Sequence, residues 1–189
     1  HGWIKKGIDA IRKDDLIFTR EDAMTTLGVG KNMVRSIRHW CLATDMADEK
    51  NGSGLAHPLR PTNLANKLLG TRGWDPFFED IGSIWLLHWQ LVNNLSRSYI
   101  WNLTFSSYLE SEFSKRQLQS FIEKNIEQAS LRTTSGTIER EVDCLLRTYI
   151  PSTRSKPGAI SEESLDCPLA ELDILRYVSE DNIYRFNIG

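Results

Sequence analysis

The run TTLGVGKNMVRSIRHWC, Thr25 to Cys41, leads from a Gly28-Val29-Gly30-Lys31 turn into a basic, tryptophan-bearing segment. Two chemistries use a glycine turn followed by a lysine. One is a phosphate-cradling loop for nucleotide hydrolysis. The other is the tight turn of a DNA-reading helix pair. A phosphate loop needs G-x-x-x-x-G-K-[ST] after a strand. Here Thr25 stands where the first glycine belongs, and Asn32 stands where the magnesium-binding hydroxyl belongs. The preceding REDAMTTL has a helical pattern, not that of a strand. These missing parts argue against the phosphate loop.

A helix-turn-helix fits the same residues. That motif needs a short helix, a three- or four-residue turn with glycine, and a second helix with basic outward positions. Gly28 permits a positive φ, and Gly30 opens the second helix. Lys31, Asn32, Arg35, Arg38 and His39 fall away from the apolar positions Met33, Val34, Ile37, Trp40 and Cys41. No Asp or Glu occurs from Gly28 through Thr44. Arginine pairs with guanine edges and asparagine with adenine edges in the major groove, while Lys31 suits a phosphate. The unpaired N–H groups of the helix start suit a phosphate as well. The competing interpretation is a solvated basic face, or a winged-helix module that docks protein.

The surrounding elements must hold this face. GWIKKGIDAIRKDD spaces Trp3, Ile4, Ile8 and Ile11 as one face of a first helix. FTREDAMTTLG predicts a short helix capped by Thr19, with Asp22 as its box partner, and Gly28 as its left-handed end. A third helix runs from about Lys31 to Thr44. DMADEKNGSGLAHPLRPT then reads as a wing from Met46 to Arg60, turning at Asn51-Gly52 and carrying Lys50 toward a backbone. PTNLANKLLG is a helix entered at Pro61-Thr62 and closed by Gly70.

Beyond it, IWLLHWQLV is apolar on nearly every side, which predicts a buried helix. Tyr99, Trp101, Phe105 and Tyr108 could stack on bases, but their helical spacing and apolar neighbours favour a core. SKRQLQSFIEKNIEQA and SGTIEREVDCLLRTYI are amphipathic helices, the first capped by Ser114. PSTRSKPGAISEES has the composition of a linker. PLAELDILRYVSEDNIYRFNIG predicts a short helix and a hairpin turning at Glu180-Asp181-Asn182.

Other candidate sites are weaker. Asp75, Glu79 and Asp80 in WDPFFED could hold Mg²⁺ in a nuclease, yet no matching lysine motif follows. Asp75-Pro76 is more simply a turn and Asp80 a helix cap. His88 sits between Trp85 and Trp89, where a hydrogen-bonded core histidine is the commoner case. His1, His39, His57 and His88 show no metal spacing with one another or with Cys41, Cys144 and Cys167. No nucleophile elbow or dinucleotide fingerprint occurs, so neither catalysis nor a cofactor is expected.

The 189 residues carry a net charge of −2, so nucleic-acid contact must come from a local basic face rather than from a polycation. Three scattered cysteines without C-x-x-C spacing fit a reducing compartment. No apolar run is long enough for a membrane span. The sequence opens at His1 without a methionine or a signal peptide, which predicts a fragment of a longer protein.

HGWIKKGIDA, LGVGKNMVRSIRHWC, DPFFEDIGSIWLLHWQL and EREVDCLLRTYIP occur in this order, followed by SLDCPLAELDILRYV and IYRFNIG. Together they resemble the bacterial domain-of-unknown-function family 4007 across nearly the whole chain. The family pattern starts slightly upstream with a GHETF-like segment, of which only the tail is present. The resemblance implies a genetic context: DNA phosphorothioation and phage-exclusion genes, beside sulfotransfer enzymes of the phosphoadenylylsulfate-reductase type. It implies a cytoplasmic component of such a system and supplies no catalytic residues.

The expectation is a mainly α protein, with a winged helix-turn-helix over residues 1–72. A helical domain over 73–189 follows, ending in a hairpin that could be a second wing. The expected function is non-catalytic binding of double-stranded DNA, phosphorothioate-modified or plain, through Lys31, Asn32, Arg35, Arg38, His39 and Lys50. The alternatives are an adaptor docking a sulfotransferase-like or ATPase partner through the tryptophan-rich centre, and a Mg²⁺-dependent nuclease.

Overall fold

The computed structural model of the chain describes residues 2–50, 57–150 and 167–187. The Asn51-Gly52 turn and the linker-like segment after Ile150 lie outside them. The chain divides into two compact units, His1–Arg97 and Ser98–Gly189. The apolar helix that a division at residue 72 assigns to the C-terminal half belongs to the first.

In the first unit, α1 (Gly2–Lys13) buries Ile4, Ile8 and Ile11. A 3-10 turn (Ile17–Thr19) leads to α2 (Ala23–Leu27). The expected cap at Thr19 is not the one formed. Asp22 holds the N-cap position, and the Thr19 hydroxyl donates to Leu16 O. The Asp22 carboxylate is taken by Arg20 Nε at 2.8 Å and so does not turn back onto the helix. Gly28 closes α2 at φ 63°, the left-handed conformation that a side chain would strain. Then α3 (Lys31–Ala43) buries Val34, Ile37, Cys41, Leu42 and Ala43.

α1 packs on α3 at close range because position 7 has no side chain. A methyl there would lie 2.6 Å from Cys41 Sγ and 2.7 Å from Ile37 Cγ2. Gly7→Ala is therefore expected to lower the unfolding free energy by about 2 kcal/mol through overpacking, read as a lower urea midpoint. Cys41 is fully buried in this seam, and burial pushes its thiol up to about 12.

After α3, β1 (Ala47–Glu49) and β2 (Leu59–Pro61) pair antiparallel, Asp48 opposite Arg60. α4 (Asn63–Leu69) is capped by Thr62, whose hydroxyl accepts from Ala65 N. α5 (Ile81–Asn93) is capped by Asp80. It buries Ile84, Leu87, Leu91 and Val92, but leaves Ile81, Trp85 and Trp89 exposed. The expectation of all-round burial is thus corrected: one face is core, the other is open. Composition shows that a helix is apolar, not how many of its sides are covered.

His88 lies half-buried on α5, edge-on to Trp85 with ring centroids 5.7 Å apart. Burial lowers it to about 4. The unfolded chain therefore takes up a proton near pH 6.5 that the folded chain refuses until about 4. Stability should fall as pH drops through that window, on the order of 2 kcal/mol once partial exposure is discounted. Unfolding free energies from urea titrations of wild type and His88→Gln from pH 7 to 4 should diverge by that amount.

In the second unit, α6 (Tyr99–Asn102) continues into a π-helical turn (Leu103–Ser107). α7 (Lys115–Gln128) starts with a capping box between Ser114 and Gln117. α8 (Ser135–Tyr149) packs on α7. Trp101, Phe113 and Tyr149 are the large buried aromatics, and Phe105 meets the Tyr149 ring at 4.9 Å. After a 3-10 turn (Pro168–Leu172), the predicted hairpin forms from β4 (Leu175–Val178) and β5 (Ile183–Phe186). A third strand, β3 (Glu112–Phe113), adds to the other side of β5.

Candidate nucleic-acid interface

The residues singled out for DNA contact lie in the first unit. The turn that aims them is built locally. Gly28 N donates to Thr25 O, and Val29 N to Met24 O, so the chain reverses within three residues. Ala23, Leu27 and Val34 form a small core beneath the turn, with Phe18 and Val29 against it. That core sets the angle between α2 and α3. Gly30, the N-cap of α3, has no side chain to satisfy the first-turn N–H groups.

Lys31, Asn32 and Arg35 are exposed on the first turns of α3. Among the described residues they make no ion pair and no side-chain hydrogen bond. His39 is exposed further along, its ring edge-on to Trp40 at 5.8 Å. Lys31, Arg35 and His39 recur at helical spacing and so share a face.

Two of the candidates are engaged elsewhere. Arg38 is half-buried, and its Nη2 lies 2.8 Å from Glu49 Oε1 on β1. Arg97 binds the other oxygen of that carboxylate at 2.9 Å. The hydrogen bond from Arg38, with help from Arg97, holds Glu49 below the usual carboxylate range despite some burial. Lys50 Nζ lies 2.6 Å from Asp15 Oδ2. Arg38 and Lys50 therefore fasten the β1 end to α3 and to the segment after α1.

One basic residue near the turn was missed by the sequence reading. Lys6 on α1 donates to Leu27 O at 3.2 Å, which places its ammonium at the end of α2. Nothing in the spacing of GWIKKGIDA marks it, because the contact joins residues far apart in sequence.

Beside β1 and the end of α5, a polar cleft of about 420 Å³ is lined by Asp45, Asp48, Glu49, Gln90, Asn94 and Arg97, among others. Burial, with Asp48 nearby, raises the Asp45 carboxyl. This lining carries three carboxylates against one arginine, which disfavours a phosphate there.

Asp75, the leading candidate for a metal ligand, is only 7% exposed. Its Oδ1 accepts from Glu79 N at 2.9 Å and its Oδ2 from Asp80 N at 3.0 Å. Asp80 Oδ1 accepts from Gly82 N at 2.6 Å. Both carboxylates are occupied in shaping the entry to α5. Among the described residues, no three His, Cys, Asp or Glu side chains stand together as a metal site. No helix among them is long and apolar enough to cross a membrane.

Among the described residues the architecture is mainly helical, with two small antiparallel sheets. The chain belongs to the family described as proteins of unknown function, domain-of-unknown-function family 4007, whose profile matches residues 1–189. Two solved structures are similar over 100% of this chain at 31% identity and a TM-score of 0.88. They are a magnesium-ion-bound SspB crystal structure and an SspB crystal structure. The match covers 57% and 56% of those chains, so this sequence spans somewhat more than half their length. No curated protein matches.

Proposed function

We propose that this chain is a non-catalytic, double-stranded-DNA-binding component of a bacterial phage-defence or DNA-phosphorothioation system. In this proposal α2, the Gly28 turn and α3 act as a helix-turn-helix, and β1 with β2 as its wing. The observation that carries it is the exposed Lys31, Asn32 and Arg35 set on the first turns of α3, with no acidic residue on that helix. Lys31 and the N–H groups after Gly30 hold a phosphate. Asn32 and Arg35 face base edges, and His39 reaches the adjacent backbone. Arg38 and Lys50 are neutralised by Glu49 and Asp15, so their part is to hold the β1 end in place rather than to contact DNA. The similarity to SspB and the family membership support the assignment to such a system, and the resemblance noted in the sequence supplies its phosphorothioation context.

The test is a titration of matched duplexes, with and without a phosphorothioate linkage, at two salt concentrations. Binding should weaken with salt at a log–log slope of about −2 to −3, as for two or three phosphate contacts. Tighter binding of the sulfur-bearing duplex would assign the modification itself as the ligand. No binding to either duplex at low salt would overturn the proposal and favour the adaptor. A Mg²⁺ arm addresses the nuclease alternative, since one similar structure is a magnesium-bound form. Mg²⁺-dependent nicking by this chain would overturn the non-catalytic part of the proposal.

A further inference from the structure

We infer that Lys6, carried on α1 outside the α2–α3 pair, is a phosphate-contact residue that holds the DNA backbone beside the Gly28 turn. The inference rests on the DNA-binding proposal above and adds to it a residue from a further helix. Lys6 is exposed, and its Nζ donates to Leu27 O at 3.2 Å, across 21 positions of sequence. Leu27 is the last residue of α2, and the left-handed Gly28 follows it. A helix end leaves its last carbonyls without partners inside the helix and favours a cation there. The ammonium of Lys6 meets that need.

Packing gives the same placement independently. Ala10, one turn after Lys6 on the same side of α1, lies against the small core of Ala23, Leu27 and Val34. Gly7, next to Lys6, lets α1 approach Ile37 and Cys41 of α3 closely. α1 is thus seated on both helices of the pair. Lys6 reaches the turn as part of a packed element, not from a loop.

Charge separates Lys6 from its neighbours. Lys5, the residue before it, is paired with Asp9. Arg12, further along α1, pairs with Asp9 and also binds Leu69 O. Among the described residues Lys6 has no carboxylate partner. Its ammonium has three N–H donors, of which Leu27 O takes one. A main-chain carbonyl orients the side chain without cancelling its charge. When a helix-turn-helix docks, the first helix of the pair crosses the sugar–phosphate backbone while the second enters the groove. An ammonium held at the end of α2 therefore meets a phosphate and not a base edge. In the proposal above, Lys31 is the one lysine or arginine set on a phosphate, and Lys6 supplies a second. Because the side chain is already held, its contact costs less ordering than that of a lysine free in solvent.

Fluorescence anisotropy with one unmodified duplex over a series of salt concentrations tests this in wild type, Lys6→Gln, Lys6→Arg and Lys5→Gln. Lys6→Gln keeps a donor for Leu27 O and removes the charge. It should bind about 5-fold more weakly at low salt and lower the log–log salt slope by about 1. Lys6→Arg keeps the charge and should retain both affinity and slope. Lys5→Gln removes a charge that Asp9 already pairs, and should leave the slope unchanged. A Lys6→Gln slope equal to that of wild type overturns the inference and leaves the DNA-binding proposal standing. Lys6 is then a cap of α2 alone, and its loss is read as a lower urea midpoint without a change of slope. An equal loss of slope in Lys5→Gln also overturns the inference, because the effect is then one of overall charge. A wild type that binds no duplex overturns the DNA-binding proposal and this inference with it, a failure visible before any variant is made.

Discussion

Reversing Lys31 and Arg35 together to glutamate is expected to weaken duplex binding about 100-fold at low salt, and to reduce the salt slope by about 1. The Lys31 change removes an attraction to phosphate, the Arg35 change removes a base-edge contact, and each sets a negative charge against the duplex. Both side chains are exposed and unpaired among the described residues, so folding stability should move by no more than about 0.5 kcal/mol. The control is Arg38→Glu alone. It sets a carboxylate against Glu49, which Arg38 now pairs at 2.8 Å, and so loosens the attachment of β1. A loss of DNA binding in that variant would therefore mix charge with damage to the fold. Lys31 and Arg35 are the pair whose reversal reports on contact alone. Unchanged binding in the double variant, measured by fluorescence anisotropy, would remove α3 from the interface.

Asp75→Ala is expected to cost about 3 kcal/mol of stability, because buried N–H groups lose a charged acceptor. The carboxylate binds Glu79 N and Asp80 N at once, from a position that water barely reaches. Burial by itself would raise this carboxyl. The backbone donors of Glu79 and Asp80, together with Ser83, outweigh burial and leave it below its ordinary value. The stabilisation is thus complete above the ordinary carboxylate range and is lost as pH falls through the lower folded value. Asp75→Asn keeps one acceptor and should cost about half as much. Urea unfolding at pH 7 checks both variants. The nuclease alternative expects the opposite pattern, with Asp75→Ala folding as well as wild type and only Mg²⁺-dependent cleavage lost.

Much of the fold was legible because its signals are local. The period of Val34, Ile37 and Cys41 defines the inner side of α3. Ser114 and Gln117 mark the start of α7 as a capping box. The alternation of LRYV and IYRF gives β4 and β5. β3 was not legible, since two residues carry no period and the meeting of Glu112 with Arg185 and of Phe113 with Tyr184 is what makes them a strand. The cap at α2 was misjudged because Arg20, a near neighbour, competes for Asp22.

The candidate site was legible in its residue types and only partly in their state. Exposure of Lys31, Asn32 and Arg35 follows from helical period alone. The pairing of Arg38 with Glu49 and of Lys50 with Asp15 depends on how β1 folds back, which spacing along the chain does not encode. The open face of α5 was hidden for the same reason. An apolar helix reads alike whether its last side is covered by its own chain or left open.

The far end of α3 carries a further consequence. Asn94 Nδ2 donates to the carbonyls of Leu42 and Ala43 at 3.0 and 3.1 Å, the last residues of that helix. Glu49 ties Arg38 to Arg97 just beyond. Mechanically, α3 is a beam supported at both ends, by Asn94 at its last carbonyls and by Val34 against Ala23 and Leu27 beneath the Gly28 turn. A load at either end is carried along the whole rod, and the helix keeps its bearing on the rest of the first unit.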